Sequence, residues 1–327
     1  MNDLILNLRK LHTTDLGAKR IRRNLRLDDQ DVVGWCRQKI EDAGSCAVKM
    51  GKNWYIDAPD CWITVNASSY TIITAHKQNS ATLLEKIAPL FSGWDEALIW
   101  SCLQGCMGRA IADHKKDPAA AMLDIGDFCF FAGAPTSVLF EKITGGKLLI
   151  PRDAAWEQLI ENYYGRRAVK ALRYAIKKEP DVFEIEKLKT YVDALDTRYE
   201  IKLFDREIFE MAKREEWSAD LCSQFRSYED YNARAIGAAV LYDGRLVSGA
   251  SPYAVYHGGI EIEIDTKPEC RKKGLATACG AKLILECLER GIYPSWDAHD
   301  LRSVALAQKL GYHLDKAYVT YEIAEPE

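Results

Sequence analysis

The chain has 327 residues, 48% hydrophobic and 28% charged, too long for one ordinary small domain and rich enough to fill more than one core. A formal net charge of -4 leaves no global basic footprint, so nucleic acid is not an expected partner of the whole chain. No apolar run reaches membrane-spanning length, and the opening MNDLILNLRKLHTT lacks the apolar core and cleavage site of a secretory leader; a cytoplasmic protein without a membrane partner is expected.

Residues 1–78 read as a small α+β domain. Asp28 and Asp29 can start a helix through Val32, Val33, Trp35 and Ile40, with carboxylates at its positive end. Strand patterns follow at 54–56, 61–66 and 69–75, the last two joined by a polar turn at Asn66-Ala67-Ser68. His12, Tyr70 and His76 with Arg20, Arg22, Arg23 and Arg26 sketch an RNA-contacting surface. A solvated helix face explains the same basic run. Polar Lys77-Gln78-Asn79-Ser80 marks the first border.

Residues 79–198 form a second lobe. An amphipathic helical pattern covers 83–112, interrupted at Phe91-Ser92-Gly93, and an apolar strand pair follows around 121–123 and 128–132. A helix runs from Trp156 towards Tyr164. The charged run 166–179, answered by acid at 181–186, is expected to be a solvated helix face.

The clearest pattern occupies residues 199–327. A strand at 199–204 leads into a helical stretch with Met211 and Trp217. Strands at 235–242, 246–256 and 259–265 follow, the first two turned by Asp243-Gly244. A helix from about Gly274 to Arg290 stops at Gly291, a strand covers 292–296, a helix covers about 302–310, and a last strand includes 318–323. The ten cysteines are scattered, with no Cys-x-x-Cys pair, and several fall in apolar helical patterns. Reduced, buried thiols are expected, and no metal site.

The chemistry concentrates in EIEIDTKPECRKKGLATACGAKLILECLERG. A strand ending at Asp265 turns into Arg271, Lys272, Lys273, Gly274, Leu275 and Ala276, where a helix begins. Unpaired N–H groups and the positive end of a helix dipole make such a start an anion cradle, and glycine lets a phosphate approach the backbone. The loop is too short for a nucleoside-triphosphate P-loop and does not match GxGxxG.

Arg271-x-x-Gly274-x-Ala276 resembles the acyl-CoA-binding motif of the GNAT N-acetyltransferase superfamily. The block WDAHDLRSVALAQKLGYH resembles that superfamily's second strand and helix beside CoA. GIEIEIDTKPECRKKGLA, YPSWDAHD, GDFCFFAG and YAIKKE are similar to one bacterial two-part GNAT subfamily over about residues 80–327, fused here to a small bacterial domain of unknown function. The resemblance implies an α/β (α+β) GNAT fold with a mixed, mostly antiparallel sheet flanked by helices. It also implies an acetyl-CoA-dependent transfer to an amine acceptor. Amides of residues 271–276 would hold the pyrophosphate. The edge of the strand 260–265, with Ile262, Ile264 and Asp265, would pair with the pantetheine arm, and Asp300 and Ser303 would lie near CoA. Two departures matter: Ala307 stands where the superfamily commonly has a tyrosine that protonates the leaving thiolate, and Asp300 replaces an asparagine.

Transfer from a thioester to an ammonium needs a base, a polarised carbonyl and a route for the thiolate to leave. Strand alternation puts Glu261, Glu263 and Asp265 on one face and Ile260, Ile262 and Ile264 on the other. Glu263, then Glu261, are the candidate bases, against the bland alternative of a solvated polar face. His299, bordering the acetyl group beside Asp297, is a candidate acid or base, and Tyr312 a replacement acid, though a packing aromatic fits Leu-Gly-Tyr equally. Net acidity leans towards small cationic acceptors. A non-catalytic acyl-CoA sensor is the alternative, and an N-terminal RNA-acting module with an attached acyltransferase is another.

Overall fold

A computed structural model describes residues 3–25, 27, 31–43, 47–58, 61–77, 80–115 and 117–324; the expectations placed on Arg26, Asp28, Asp29, Cys46, Gln78 and Asn79 lie outside the described residues. The chain forms two compact units, Met1–Leu83 and Leu84–Glu327.

The first unit carries helices α1 (Asp3–Leu6), α2 (Asp15–Leu25) and α3 (Val32–Ala43) and an antiparallel sheet of β1 (Ala47–Met50), β2 (Asn53–Ala58), β3 (Cys61–Asn66) and β4 (Ile72–Lys77) in chain order. Alternation drives it: Cys61, Ile63 and Val65 point into a core with Ile21, Cys36 and Ile40, whereas Trp62 points out. His12 sits between the Lys10 carbonyl and the Thr71 hydroxyl, and Tyr70 donates to Asp3, so both serve local structure.

The border between the units falls within α4 (Ser80–Ile87). The second unit continues with α5 (Ala97–Leu103) and the strands β5 (Arg109–Ala112), β6 (Ala120–Ile125), β7 (Phe128–Gly133) and β8 (Leu148–Pro151). Helix α6 (Ala154–Tyr164), β9 (Ala168–Ile176) and α7 (Ile185–Asp193) follow. The expected helix face at 166–179 is therefore mostly a strand. Within Ala168–Ile176 only Lys170 and Arg173 are charged, and the rest is small, β-branched, aromatic or apolar, a composition that a count of charge over the whole run hides. The helical expectation for 83–112 also breaks: residues 109–112 are β5, paired to β6.

Next come β10 (Tyr199–Leu203), α8 (Arg206–Ala212), α9 (Tyr228–Arg234), β11 (Ala238–Tyr242), β12 (Arg245–Tyr256) and β13 (Gly259–Thr266). After them stand α10 (Leu275–Glu289), β14 (Tyr293–Ser295), β15 (Asp297–Ala298), α11 (Leu301–Leu310) and β16 (Leu314–Ile323). The β11–β12 hairpin turns on Asp243 and Gly244, both at positive φ, as its tight turn requires. The strands make two sheets: β10-β11-β12-β13-β14, and β15-β9-β16-β8-β7-β6-β5. Residue 198 marks a change of sheet within one compact unit, because β15 and β16 return to pair with β9.

Helix α10 crosses over from β13 to the parallel β14 and buries Leu275, Cys279, Leu283, Ile284 and Cys287 against Ile260, Ile262 and Val240. Its approach to the next helix depends on Gly280, where an added Cβ would lie 2.8 Å from Leu310 and 3.1 Å from Ile264. Gly280→Val is expected to lower stability by about 1–3 kcal/mol through overpacking, read as a shifted urea midpoint with an unchanged slope.

Candidate functional site

The site begins where two strands part. Gly259, Ile260 and Glu261 of β13 pair with Tyr293, Pro294 and Ser295 of β14. One residue later the chain leaves this sheet, and Asp297 and Ala298 pair with β9 of the other. From Ile262 to Thr266 the β13 edge on that side has no strand partner among the described residues. The free edge starts after Glu261, not at Ile260 as expected, because the first residues of the strand still carry β14. On the other side of β13, register shifts between Pro252 and Ala254, leaving Tyr253 as a bulge opposite the parting point.

At its C-terminal end the free edge runs through a short turn, Pro268–Cys270, into residues 271–276. Lys272 and Gly274 both have positive φ, 63° and 80°. Gly274 precedes the first turn of α10, no side chain caps that turn, and nothing lies within 4 Å of a Cβ built at Gly274. Among the described residues the amides of Lys272 to Ala276 meet no acceptor. The result is an open nest of N–H groups at a helix start, with Arg271, Lys272 and Lys273 exposed around it.

On β13 the isoleucines face α10, and the carboxylates occupy the opposite face, as alternation requires. That face is only partly solvated, with Glu261 buried and Glu263 and Asp265 half-buried. Burial raises Glu263 to about 8, with Asp265 and Asp220 adding and Arg173 opposing. Burial, then Asp220, raises Asp265 to about 6. Glu261 is only 4% exposed, and neither carboxyl oxygen has a hydrogen-bond partner. Burial pushes it well above the usual carboxylate range; Lys178 opposes, while Glu96 and Asp297 add to the rise.

Glu261 belongs to a buried cluster contributed by residues distant in sequence. Glu96 is 4% exposed, caps α5 by accepting from the Leu98 amide, and is raised to about 7, chiefly by burial. Lys178 donates to the Trp296 carbonyl at 3.2 Å. Arg173 meets Asp297 at 2.7 Å, and Tyr318 donates to the other Asp297 oxygen at 2.8 Å. Glu96, Arg173, Lys178, Tyr318 and Asp220 were not candidates from the sequence. Glu96 precedes an apolar run and reads as a cap, and the two cations sit in the run taken for a solvated helix.

His299, exposed, accepts from the Arg173 guanidinium through Nδ1 at 3.2 Å, so the structure does place it beside Asp297. Three other candidates are placed elsewhere. Tyr312 is 1% exposed and donates to the Pro294 carbonyl at 2.6 Å, which commits its proton to the backbone and corrects its suggested acid role. Asp300 caps α11 through the amides of Arg302 and Ser303 and pairs with Arg302; an anion so satisfied does not suit a phosphate neighbour. The Ser303 hydroxyl accepts from the Trp296 indole at 3.1 Å. Ala307 is fully buried and supplies no proton.

Comparison with known proteins gives the family. Residues 88–321 match the profile of the family described as GNAT acetyltransferase. The chain belongs to the GNAT acetyltransferase family. A GCN5-related N-acetyltransferase-like protein from Streptococcus suis 89/1591 is 44% identical, with a TM-score of 0.72, and aligns over 75% of this chain and 100% of its own. YdfB, an uncharacterized N-acetyltransferase of Bacillus subtilis (strain 168), is 34% identical over 99 residues, 30% of this chain; this acetyltransferase thus spans 38% of that relative's length. Residues 5–76 match a separate family described only as a protein of unknown function, DUF3781. Among the described residues no helix of this acetyltransferase is long and apolar enough to cross a membrane.

The strand bearing Asp297 is tied to the second sheet by one buried pair whose side chains are 12% and 7% exposed. Asp297→Ala leaves Arg173 without its counter-charge and is expected to cost about 3–5 kcal/mol in urea unfolding. A loss under about 1 kcal/mol would show that the pair does not hold the strands apart.

Proposed function

We propose that this acetyltransferase moves the acetyl group of acetyl-CoA directly to a primary amine of a small cationic acceptor. The observation that carries it is the continuity of the free β13 edge with the bare amides of residues 272–276. The edge can hydrogen-bond an amide-bearing arm, and the nest can hold the pyrophosphate to which that arm is attached. The residues present therefore fit the donor. Ile262, Ile264 and Asp265 supply backbone to the arm, and Arg271, Lys272, Lys273, Gly274, Leu275 and Ala276 receive the phosphates. When bound, acetyl-CoA supplies a thioester activated towards amines.

Glu263, Asp265 and Asp220 converge on the opposite face of β13, and among the described residues none of the three has an ion-pair partner. Such a surplus of carboxylates favours a cationic acceptor. Glu263 is the proposed base: its carboxylate takes the ammonium proton. A pKa near 8 makes it a stronger proton acceptor than an ordinary glutamate. Asp297 positions His299 at the rim through Arg173. Direct transfer is preferred to an acyl-cysteine route because burial pushes Cys279, Cys222 and Cys287 up to about 12, where thiolate is scarce at neutral pH. The nine described cysteines are free thiols, which suits the cytoplasm.

Gly274→Val puts a β-branched side chain at φ 80° in the mouth of the nest. Acetyl-CoA affinity, measured by calorimetry, is expected to fall at least about tenfold, roughly 1.4 kcal/mol. Unchanged affinity would remove the loop from the proposal.

A base must be ionised to act, so a folded-state value near 8 means activity is lost as pH falls below it and gained as pH rises through it. CoA release with a panel of polyamines, aminoglycosides and amino acids should show this acid limb. Glu263→Gln should erase the limb and lower kcat about 10²–10⁴-fold. Tight acetyl-CoA binding with no turnover on any amine would instead favour a sensor.

A further inference from the structure

Ala307 fills the helix position where a proton donor is expected, and the buried cluster at the strand parting offers another. We propose that Glu261 is the general acid of this enzyme, a neutral carboxyl stored at the vertex between β13 and β14 that protonates the departing CoA sulfur.

The geometry is particular to the vertex. Glu261 is the last residue of β13 paired to β14, opposite Ser295, and the next residue begins the free edge. A donor arm laid along Ile262 to Asp265 ends at Glu261, so its thioester comes to this side chain. This placement rests on the function proposed above.

Six titratable groups face the carboxyl from the surrounding elements: Lys178 after β9, Glu96 before α5, Asp297 of β15, Tyr256 of β12, Tyr293 of β14 and Tyr312 after α11. The tyrosines are engaged and neutral: Tyr256 bonds Ser295, Tyr293 accepts from the Glu179 amide, and Tyr312 donates to Pro294. Asp297 is neutralised by Arg173. Lys178 is then one cation against two carboxyls, Glu96 and Glu261. Two ionised carboxylates there would leave an uncompensated buried charge, so one of the two keeps its proton. Glu96 has the Leu98 amide and a helix N-terminus to stabilise its anion, whereas both Glu261 oxygens are buried without a hydrogen-bond partner and the Asp297 amide is the weakest influence set against that burial. The proton therefore belongs on Glu261.

The step balances. Glu263 takes one proton from the ammonium and passes it to solvent. The amine nitrogen forms the N–C bond, the C–S bond breaks with its electron pair on sulfur, and sulfur takes the proton of Glu261. The second proton of the acylated nitrogen returns Glu261 to its acid form. No other co-reactant is consumed.

Glu261→Gln is near-isosteric with the neutral acid, so folding and acetyl-CoA affinity are expected to stay within about threefold while kcat falls about 10²–10⁴-fold. The alkaline limb of the pH profile should vanish in that variant. Infrared spectroscopy of the unliganded Glu263→Gln variant at neutral pH, which lacks the other carboxyl held in its acid form, should show a protonated-carboxyl stretch that adding Glu261→Gln removes. Glu96→Gln should remove it too, by leaving Lys178 to ionise an intact Glu261. A band unaffected by Glu261→Gln, or kcat within threefold of wild type, overturns the proposal. Failure of the wild type to bind acetyl-CoA overturns the function instead, and the infrared result still decides where the proton sits.

Discussion

Residues 293–298 serve two sheets in turn, and the opening of the site follows from that. As β14 they pair with the start of β13, and as β15 they pair with β9. A strand cannot hydrogen-bond one neighbour along an edge that has already turned to another, so the remainder of β13 keeps a bare edge inside the fold. Bare edges are normally covered because they invite pairing. In the proposed function this edge is the place of one extended ligand arm.

The parting is fixed by charge as well as by backbone. Arg173 and Asp297 lie on the paired strands β9 and β15, and Tyr318 completes the Asp297 carboxylate. Desolvating both ions offsets much of their attraction, so the pair adds little net stability over a well-packed apolar alternative. Its value is discrimination: a register slip of one residue would turn Arg173 to the other face and strand a buried carboxylate. The same economy governs Glu96, Lys178 and Glu261, where too few cations for the carboxyls make a proton part of the native structure.

Local periodicity made much of the second unit legible before any coordinates. The hairpin at Asp243-Gly244, the strand-loop-helix around Gly274 and the capped helix ending at Gly311 are all short-range features with residue-type signatures. The alternation of isoleucine and carboxylate along β13 was equally visible. What stayed hidden was long-range. Nothing within residues 166–179 announces that Arg173 and Lys178 will be buried, because the carboxylates they face, Asp297, Glu261 and Glu96, stand far away in the chain. Glu96 looked like a helix cap and is one; its second neighbourhood exists only after β13 is in place. Tyr312 shows the opposite limit: its sequence context suited either a packing aromatic or an acid, and only the Pro294 carbonyl decides between them.

The polarity of β13 joins these strands of reasoning. Its beginning lies among Glu261, Glu96 and Asp297, and beyond its end stand Arg271, Lys272 and Lys273. A molecule with phosphates at one end and a neutral thioester at the other has one favourable orientation along such an edge, because reversing it would carry anions into a desolvated acidic cluster. A cationic amine experiences the reverse field and is drawn to the carboxylate face. Carboxylates held near or above neutrality add a constraint: the site cannot ionise fully until the acceptor's positive charge arrives. In the proposed function, binding of a cationic acceptor would lower the Glu263 pKa and favour the base form that the acceptor requires. Placing the acid at Glu261 separates the two proton roles by one turn of the pleat on the same face. The helix position filled by Ala307 is then free to pack, which a tyrosine there would have had to combine with chemistry.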